Sequence, residues 1–206
     1  DFRQVFKTMG MLGYDVSKSK HVEFGFMTLP EGPLSTRKGN VISLEKLIEE
    51  ARTRAVKIIE EKNPELKHKN EVAEQVGLAA LKYFDLKHNR HSDIVFNWED
   101  ALSFEGNTGP YLQYTHARLK SILRKAGENI REIGVIGEIG KNQGEGRIGL
   151  AGEELAVLRK LFQFEDIVVD AGEQFSPNIL ANYLFELAEK INLFYQKVPV
   201  IQEENK

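Results

Sequence analysis

Apolar residues recur along this chain at two spacings. Phe2, Val5, Phe6 and Met9 fall three and four apart, the spacing of one helix face, and Gly10 or Gly13 suits a left-handed end to that helix. Val22, Phe24 and Phe26 then alternate with His21, Glu23 and Gly25, which predicts a strand with one buried face over 21–27. A single strand needs partners, and this reading places them upstream, outside the chain. Helical spacing returns at Leu44, Leu47, Ile48, Ala51, Ala55, Ile58 and Ile59. Ser43 suits the cap of that helix, Glu45 its first turn, and Asn63-Pro64 its end. A second helix is predicted over 71–86 through Val72, Val76, Ala80, Tyr83 and Phe84, followed by a short extended piece at 93–98.

The second half is helical throughout. Gly109-Pro110 sets a proline in the first turn of a helix over 111–126, with Leu112, Leu119, Ile122 and Leu123 as its expected buried stripe. Residues 127–152 are Gly-rich and polar and read as a connection. Two short helices follow over 153–162 and 165–173. Ser176-Pro177 then opens a last helix with an apolar face of Leu180, Tyr183, Leu184, Leu187, Ile191 and Phe194, ended by Val198-Pro199. One strand against this many helices makes the fold mainly α. No repeat of solenoid length is present.

Composition narrows the chemistry. The 206 residues contain no cysteine, which excludes disulfides, zinc–thiolate sites and a cysteine nucleophile, and fits a cytoplasmic protein. No apolar run reaches the length of a membrane span, so no membrane association is expected. The net charge of −3 gives no global attraction to nucleic acid, so any such binding must come from local patches. The chain opens without methionine, in what reads as the middle of an element, and points to a fragment of a longer protein.

Four features carry candidate chemistry. The loop Leu29–Asn40 holds Ser35, Thr36, Arg37, Lys38 and two glycines between the expected strand and a capped helix. Such a composition serves a solvated turn. It also serves a phosphate-handling loop, in which hydroxyls, the amides around Gly39 and the two cations collect charge on a departing phosphate group. Gly144-Glu145-Gly146-Arg147-Ile148-Gly149 matches a dinucleotide-binding pattern, but no strand precedes it, and it reads as linker. His88 and His91 lie one helical turn apart, but without thiolates or a clear acidic third ligand they read as surface residues and no metal is expected. The helix over 111–126 carries Arg118, Lys120, Arg124 and Lys125 and no acid. That is either a solvated amphipathic face or, with Tyr111, Gln113, Tyr114 and His116, a surface for phosphate contact and base stacking.

Three stretches resemble one family. They are Phe24-Gly25-Phe26-Met27 through Leu34–Asn40, Ala80-Leu81-Lys82-Tyr83-Phe84-Asp85-Leu86, and Phe104-Glu105-Gly106-Asn107-Thr108-Gly109-Pro110 through Arg118. Together with Asn182-Tyr183-Leu184 they resemble the C-terminal part of arginyl-tRNA synthetases, which are class I aminoacyl-tRNA synthetases. The resemblance implies the C-terminal edge of a Rossmann-like α/β catalytic domain with connecting helices over 1–106. An all-α anticodon-binding bundle over 107–206, truncated at its C-terminus, would follow. It places the loop at the class I Lys-Met-Ser-Lys-Ser motif, with Leu34 at the Met, Ser35 at the first Ser, Thr36 at the second Lys and Arg37 at the last Ser.

Pro33 stands where a lysine is common, so the pyrophosphate falls to Arg37 or Lys38, or to a lysine outside the chain. By the same resemblance Ser35, Thr36, Arg37 and Lys38 act in catalysis, and Phe26, Met27 and Gly39 contact the nucleotide. Tyr111, Gln113, Tyr114, Arg118, Lys120 and Arg124 contact tRNA. The implied substrates are ATP, with Mg2+, arginine and the arginine-accepting tRNA, handled by a monomer without a prosthetic group. The other class motif, His-Ile-Gly-His, is absent from these residues, so the chain alone is expected to be inactive. A rival from another class is a free-standing helical RNA-binding module, which the upstream sequence would discriminate.

Overall fold

The structure is a computed structural model that describes residues 1–30, 32–33, 43–126 and 152–198. Eight helices and three short strands lie in these residues. In chain order they are α1 (Phe2–Met11), β1 (Met27–Leu29), β2 (Gly32–Pro33), α2 (Leu44–Lys62), α3 (Lys69–Leu86) and β3 (Ile94–Val95). The remaining five are α4 (Trp98–Leu102), α5 (Gly109–Ala126), α6 (Gly152–Phe162), α7 (Phe164–Glu173) and α8 (Pro177–Lys197). The Gly144–Gly149 pattern, most of the Gly-rich connection, and Pro199 lie outside the described residues.

The strand expected over 21–27 is corrected. It runs from Met27 to Leu29, and Phe24 and Phe26 are 84% and 78% exposed rather than buried. Its partners are also within the chain: β1 lies between β2, antiparallel, and β3, parallel. Met27 pairs with Ile94 and Thr28 with Val95, so a ladder forms only where the two segments run side by side. Helices α2 and α3 make the crossover between these parallel strands.

The first core lies between α2 and α3. Small residues make it possible: Ala51 and Ala55 on α2 face Ala73, Gly77 and Ala80 on α3, all buried. A β-carbon on Gly77 would stand 2.9 Å from the Ala51 carbonyl carbon, so the backbones are in contact. Ser43 caps α2 as expected, accepting the Lys46 amide at 3.4 Å. A second cluster of Phe84, Phe96 and Ala101, with Met27, Leu29 and Leu47 packed on it, ties the sheet to the helices. Phe96 stands edge-on between Phe84 and Trp98, with ring centroids 4.9 and 4.8 Å away.

The second half is the expected bundle, α5 to α8, but two local readings change. On α5, Leu119 and Leu123 are exposed, because α8 packs on the Tyr111–Thr115–Arg118 face instead. Ser176 does not cap α8 with its hydroxyl, which donates back to the Gln174 carbonyl at 3.1 Å. The close approach continues at the start of α5, where a β-carbon on Gly109 would lie 2.6 Å from the Ala79 carbonyl oxygen. Helix α3 is thus gripped by α2 and by α5, and touches α8.

Candidate functional site

Ser35, Thr36, Arg37, Lys38 and Gly39 lie outside the described residues, but the mount of their loop is described on both sides. On the far side stands the Ser43 cap. On the near side, segment 23–28 is stitched to segment 90–96 by hydrogen bonds. The Gly25 amide donates to the Arg90 carbonyl at 2.6 Å, and the Phe26 amide to Asp93 Oδ1 at 2.7 Å. The Ile94 and Phe96 amides donate to the carbonyls of Phe26 and Thr28 at 2.9 and 2.8 Å. Arg90 Nη1 reaches back to the Glu23 carbonyl at 2.7 Å. A β-carbon on Gly25 would sit 2.3 Å from the Ser92 carbonyl oxygen, so only glycine permits the approach.

Of the residues expected at the nucleotide, Phe26 therefore offers an exposed ring, while its amide is already taken by Asp93. Met27 is half-buried on the second core cluster. Sequence reasoning missed Gly25, Arg90 and Asp93 as the residues that hold this mount. His88 belongs to the same turn: its Nδ1 lies 2.6 Å from the Phe84 carbonyl, so a proton there satisfies one of the open carbonyls at the end of α3. Among the described residues no group of three His, Cys, Asp or Glu side chains is gathered as for a metal.

The residues expected at tRNA divide into two sets. Tyr111, Thr115 and Arg118 face α8, where Asn192 answers all three. Asn192 Nδ2 donates to Tyr111 Oη at 3.0 Å and to Thr115 Oγ1 at 2.8 Å, and its Oδ1 accepts from Arg118 Nη1 at 2.6 Å. Both N–H donors of the buried amide are used, and its oxygen accepts from a charged donor. Arg118 also donates to Tyr114 Oη at 2.6 Å, and its guanidinium lies 4.6 and 4.8 Å from the Tyr114 and Tyr195 rings. Gln113 Nε2 donates to the Gln75 carbonyl at 3.2 Å, towards α3. Lys120 and Arg124 are exposed, with Lys125 and His116 near them on α5. They form a cationic face free of acids, which suits phosphate contact.

A second polar knot lies where the two halves meet. Tyr83 on α3 has its one hydroxyl proton between Asn107 Oδ1, at 2.6 Å, and the Ala181 carbonyl of α8, at 2.8 Å. Asn107 Nδ2 donates to Asn182 Oδ1 at 3.0 Å, and the Asn107 carbonyl accepts from Lys87 Nζ at 2.9 Å. Burial pushes the Tyr83 phenol up to about 12. It pushes the Lys87 ammonium down, against the opposing charge of Asp100.

Comparison with known proteins gives these observations a context. The family model for the catalytic domain of class I (R) tRNA synthetases matches residues 1–98, and the DALR anticodon-binding domain model matches residues 112–206. The chain belongs to the arginyl-tRNA synthetase family. It is 45% identical over 205 residues to an arginine–tRNA ligase of Fusobacterium nucleatum, an alignment that takes in 98% of this chain and 34% of that protein. It is 40% identical over 205 residues to one of Clostridium botulinum, covering 99% of this chain and again 34% of the relative. The Thermus thermophilus arginyl-tRNA synthetase structure superposes with a TM-score of 0.76 at 34% identity, over 98% of this chain and 31% of that one. The Plasmodium falciparum arginyl-tRNA synthetase gives the same TM-score at 25% identity, over 98% and 33%. The chain thus spans about a third of the length of the relatives it matches.

Within this family frame the stretches that carry the resemblance take on positions. Phe24–Met27 leads into β1 and the loop. Tyr83, Asn107 and Asn182 come from the other three stretches and bond to one another. One residue from each of these three stretches thus joins α3 to α8.

Proposed function

We propose that this chain is the segment of an arginine–tRNA ligase that carries the pyrophosphate-side loop and the tRNA-binding bundle. In the whole enzyme arginine and ATP, with Mg2+, give arginyl-adenylate and pyrophosphate. The arginyl group then passes to the terminal adenosine of its tRNA, with release of AMP. What supports the reading is one pairing: a class I catalytic-domain match over 1–98 and an anticodon-binding match over 112–206 in the same chain.

In this reading residues 1–106 close the catalytic domain and residues 107–206 are the anticodon-binding domain. The hydroxyls of Ser35 and Thr36 and the amides around Gly39, with the Arg37 and Lys38 cations, meet charge that develops on the leaving pyrophosphate. Phe26, Met27 and Gly39 stand at the nucleotide. Phe26 contributes its exposed ring, because its amide is engaged. Lys120 and Arg124 neutralise tRNA phosphates, and Tyr114, half-exposed and stacked with Arg118, stands beside them. Tyr111, Gln113 and Arg118 position that face. The enzyme is read as a cytoplasmic monomer. No described helix is long and apolar enough to cross a membrane.

The chain has no His-Ile-Gly-His motif in its 206 residues. The purified chain is therefore expected to show no arginine-dependent ATP–pyrophosphate exchange, with tRNA present or absent, while a full-length ligase carrying it arginylates tRNA. Exchange by the chain alone, or failure of the full-length protein to arginylate, would sink the proposal.

A further inference from the structure

We propose that Tyr83, Asn107 and Asn182 are positioning residues for the transfer step. Their hydrogen bonds fix the bundle against α3, and so fix a tRNA held on the bundle relative to the loop beyond β2. The inference rests on the reading of the chain as part of an arginine–tRNA ligase and names what that reading leaves open, how the two halves keep register.

Asn107 is the centre of the device. Its side chain accepts from Tyr83 and donates to Asn182, and its carbonyl accepts from Lys87. The turn that presents it is itself set. Thr108 Oγ1 donates to the Ser103 carbonyl at 2.6 Å and accepts the Tyr111 amide at 3.2 Å, and Gly106 takes a φ of 75°. Each such bond adds only modest net stability, and well-packed apolar groups can serve as well for that purpose. Apolar helix faces also tolerate small slides, whereas hydrogen-bond distances and angles do not. The polar knot therefore contributes one register between α3, α5 and α8.

Register matters because α3 also carries the loop mount. From its carboxyl end the chain turns through His88 to Asp93, and Arg90 and Asp93 hold the Glu23 carbonyl and the Phe26 amide just before β1. The carboxyl end of one helix thus meets the bundle through Tyr83 and Lys87 and leads directly into the mount of the loop.

A second contact clasps the same two halves. Phe175, between α7 and α8, has a left-handed φ of 51°, and the Ser176 amide closes the turn on the Ala171 carbonyl at 3.0 Å. Glycine or asparagine would fill that position without the strain that a bulky side chain incurs there. The phenylalanine places its ring under Lys20, whose Nζ lies 4.4 Å from the centroid, on the segment leading to β1.

The test uses a full-length ligase carrying this segment, with Tyr83→Phe, Asn182→Ala and the double variant. Arginylation kcat is expected to fall about ten-fold or more in each single variant, since misplacement of about 1 Å can cost 10²-fold. The tRNA Kd and the KM for ATP and arginine are expected to stay within about two-fold, and the double variant should be no worse than the worse single one, because both break one knot. Unchanged kcat with a lowered Tm would make the knot merely structural. A tRNA Kd that rises in step with the loss of kcat/KM would make it a binding element. Either result overturns the proposal. If the unmutated protein fails to arginylate tRNA, the ligase reading fails instead, before any variant is compared.

Discussion

Asn192 shows how a single residue hides from a pattern. It sits within the apolar spacing of α8, one position after Ile191 and two before Phe194, and the periodicity draws attention to those neighbours. In the fold it is buried and answers Tyr111, Thr115 and Arg118 at once. A polar residue in an apolar stripe was the only available signal, and it does not name partners about 75 residues away. Arg118 was read as a candidate phosphate ligand for the same reason. Charge is visible in a sequence, whereas the acceptor that engages it is not. Tyr83 gives a prediction at this scale. Its phenol is raised from 10.0 to about 12 by burial, so the folded state holds the proton more tightly than the unfolded state does. The stability it contributes is complete below pH 10 and is lost as pH rises towards 12. Urea midpoints measured across that range are expected to fall more steeply for the native chain than for Tyr83→Phe. Parallel curves would contradict the burial of the hydroxyl.

The helices were legible where one face is apolar and packing is local. Of the α2 stripe, Leu47, Ile48, Ala51, Ala55, Ile58 and Ile59 turn inward as expected, Leu44 in the first turn stays exposed, and Ser43 caps where its position predicts. The strand was misplaced because alternation records only that side chains point to two sides, not that the backbone is paired in register: before Met27 the Gly25 amide goes to Arg90 and the Phe26 amide to the Asp93 side chain. Val22, Phe24 and Phe26 alternate without a ladder, whereas Met27–Leu29 has one on each side. Close approach was also invisible. Gly77 interrupts a helical pattern and reads as a mild defect, yet it is where α2 and α3 touch. Gly77→Ala weighs two effects. Helix propensity returns about 1 kcal/mol. The new methyl meets the Ala51–Arg52 peptide at 2.9–3.1 Å, and overpacking of this kind costs about 1–3 kcal/mol. Backbone atoms cannot swing aside, so the clash is expected to win and the Tm to fall. A raised Tm would show that the helices separate more easily than the contact implies.

At the scale of the molecule, one helix organises two tasks. α3 packs on α2 through small residues, bears the stitched mount of the loop at its carboxyl end, meets α5 at Ala79 and Gln75, and is tied to the Asn107 turn and α8 through Tyr83 and Lys87. The sequence made the bundle and its basic helix legible. Which cations face outward depended on where α8 packs, and that was not. Lys120 and Arg124 stand on the exposed side, whereas Arg118 is tied to Asn192. If this exposed face holds tRNA phosphates, as proposed, the salt dependence of tRNA binding depends on it. Binding of arginine-accepting tRNA by the purified chain and by Lys120→Ala/Arg124→Ala is measured across a salt series. The double variant is expected to bind more weakly, with a log–log salt slope shallower by roughly 2, one for each phosphate contact removed. An affinity and slope unchanged from the native chain would contradict it.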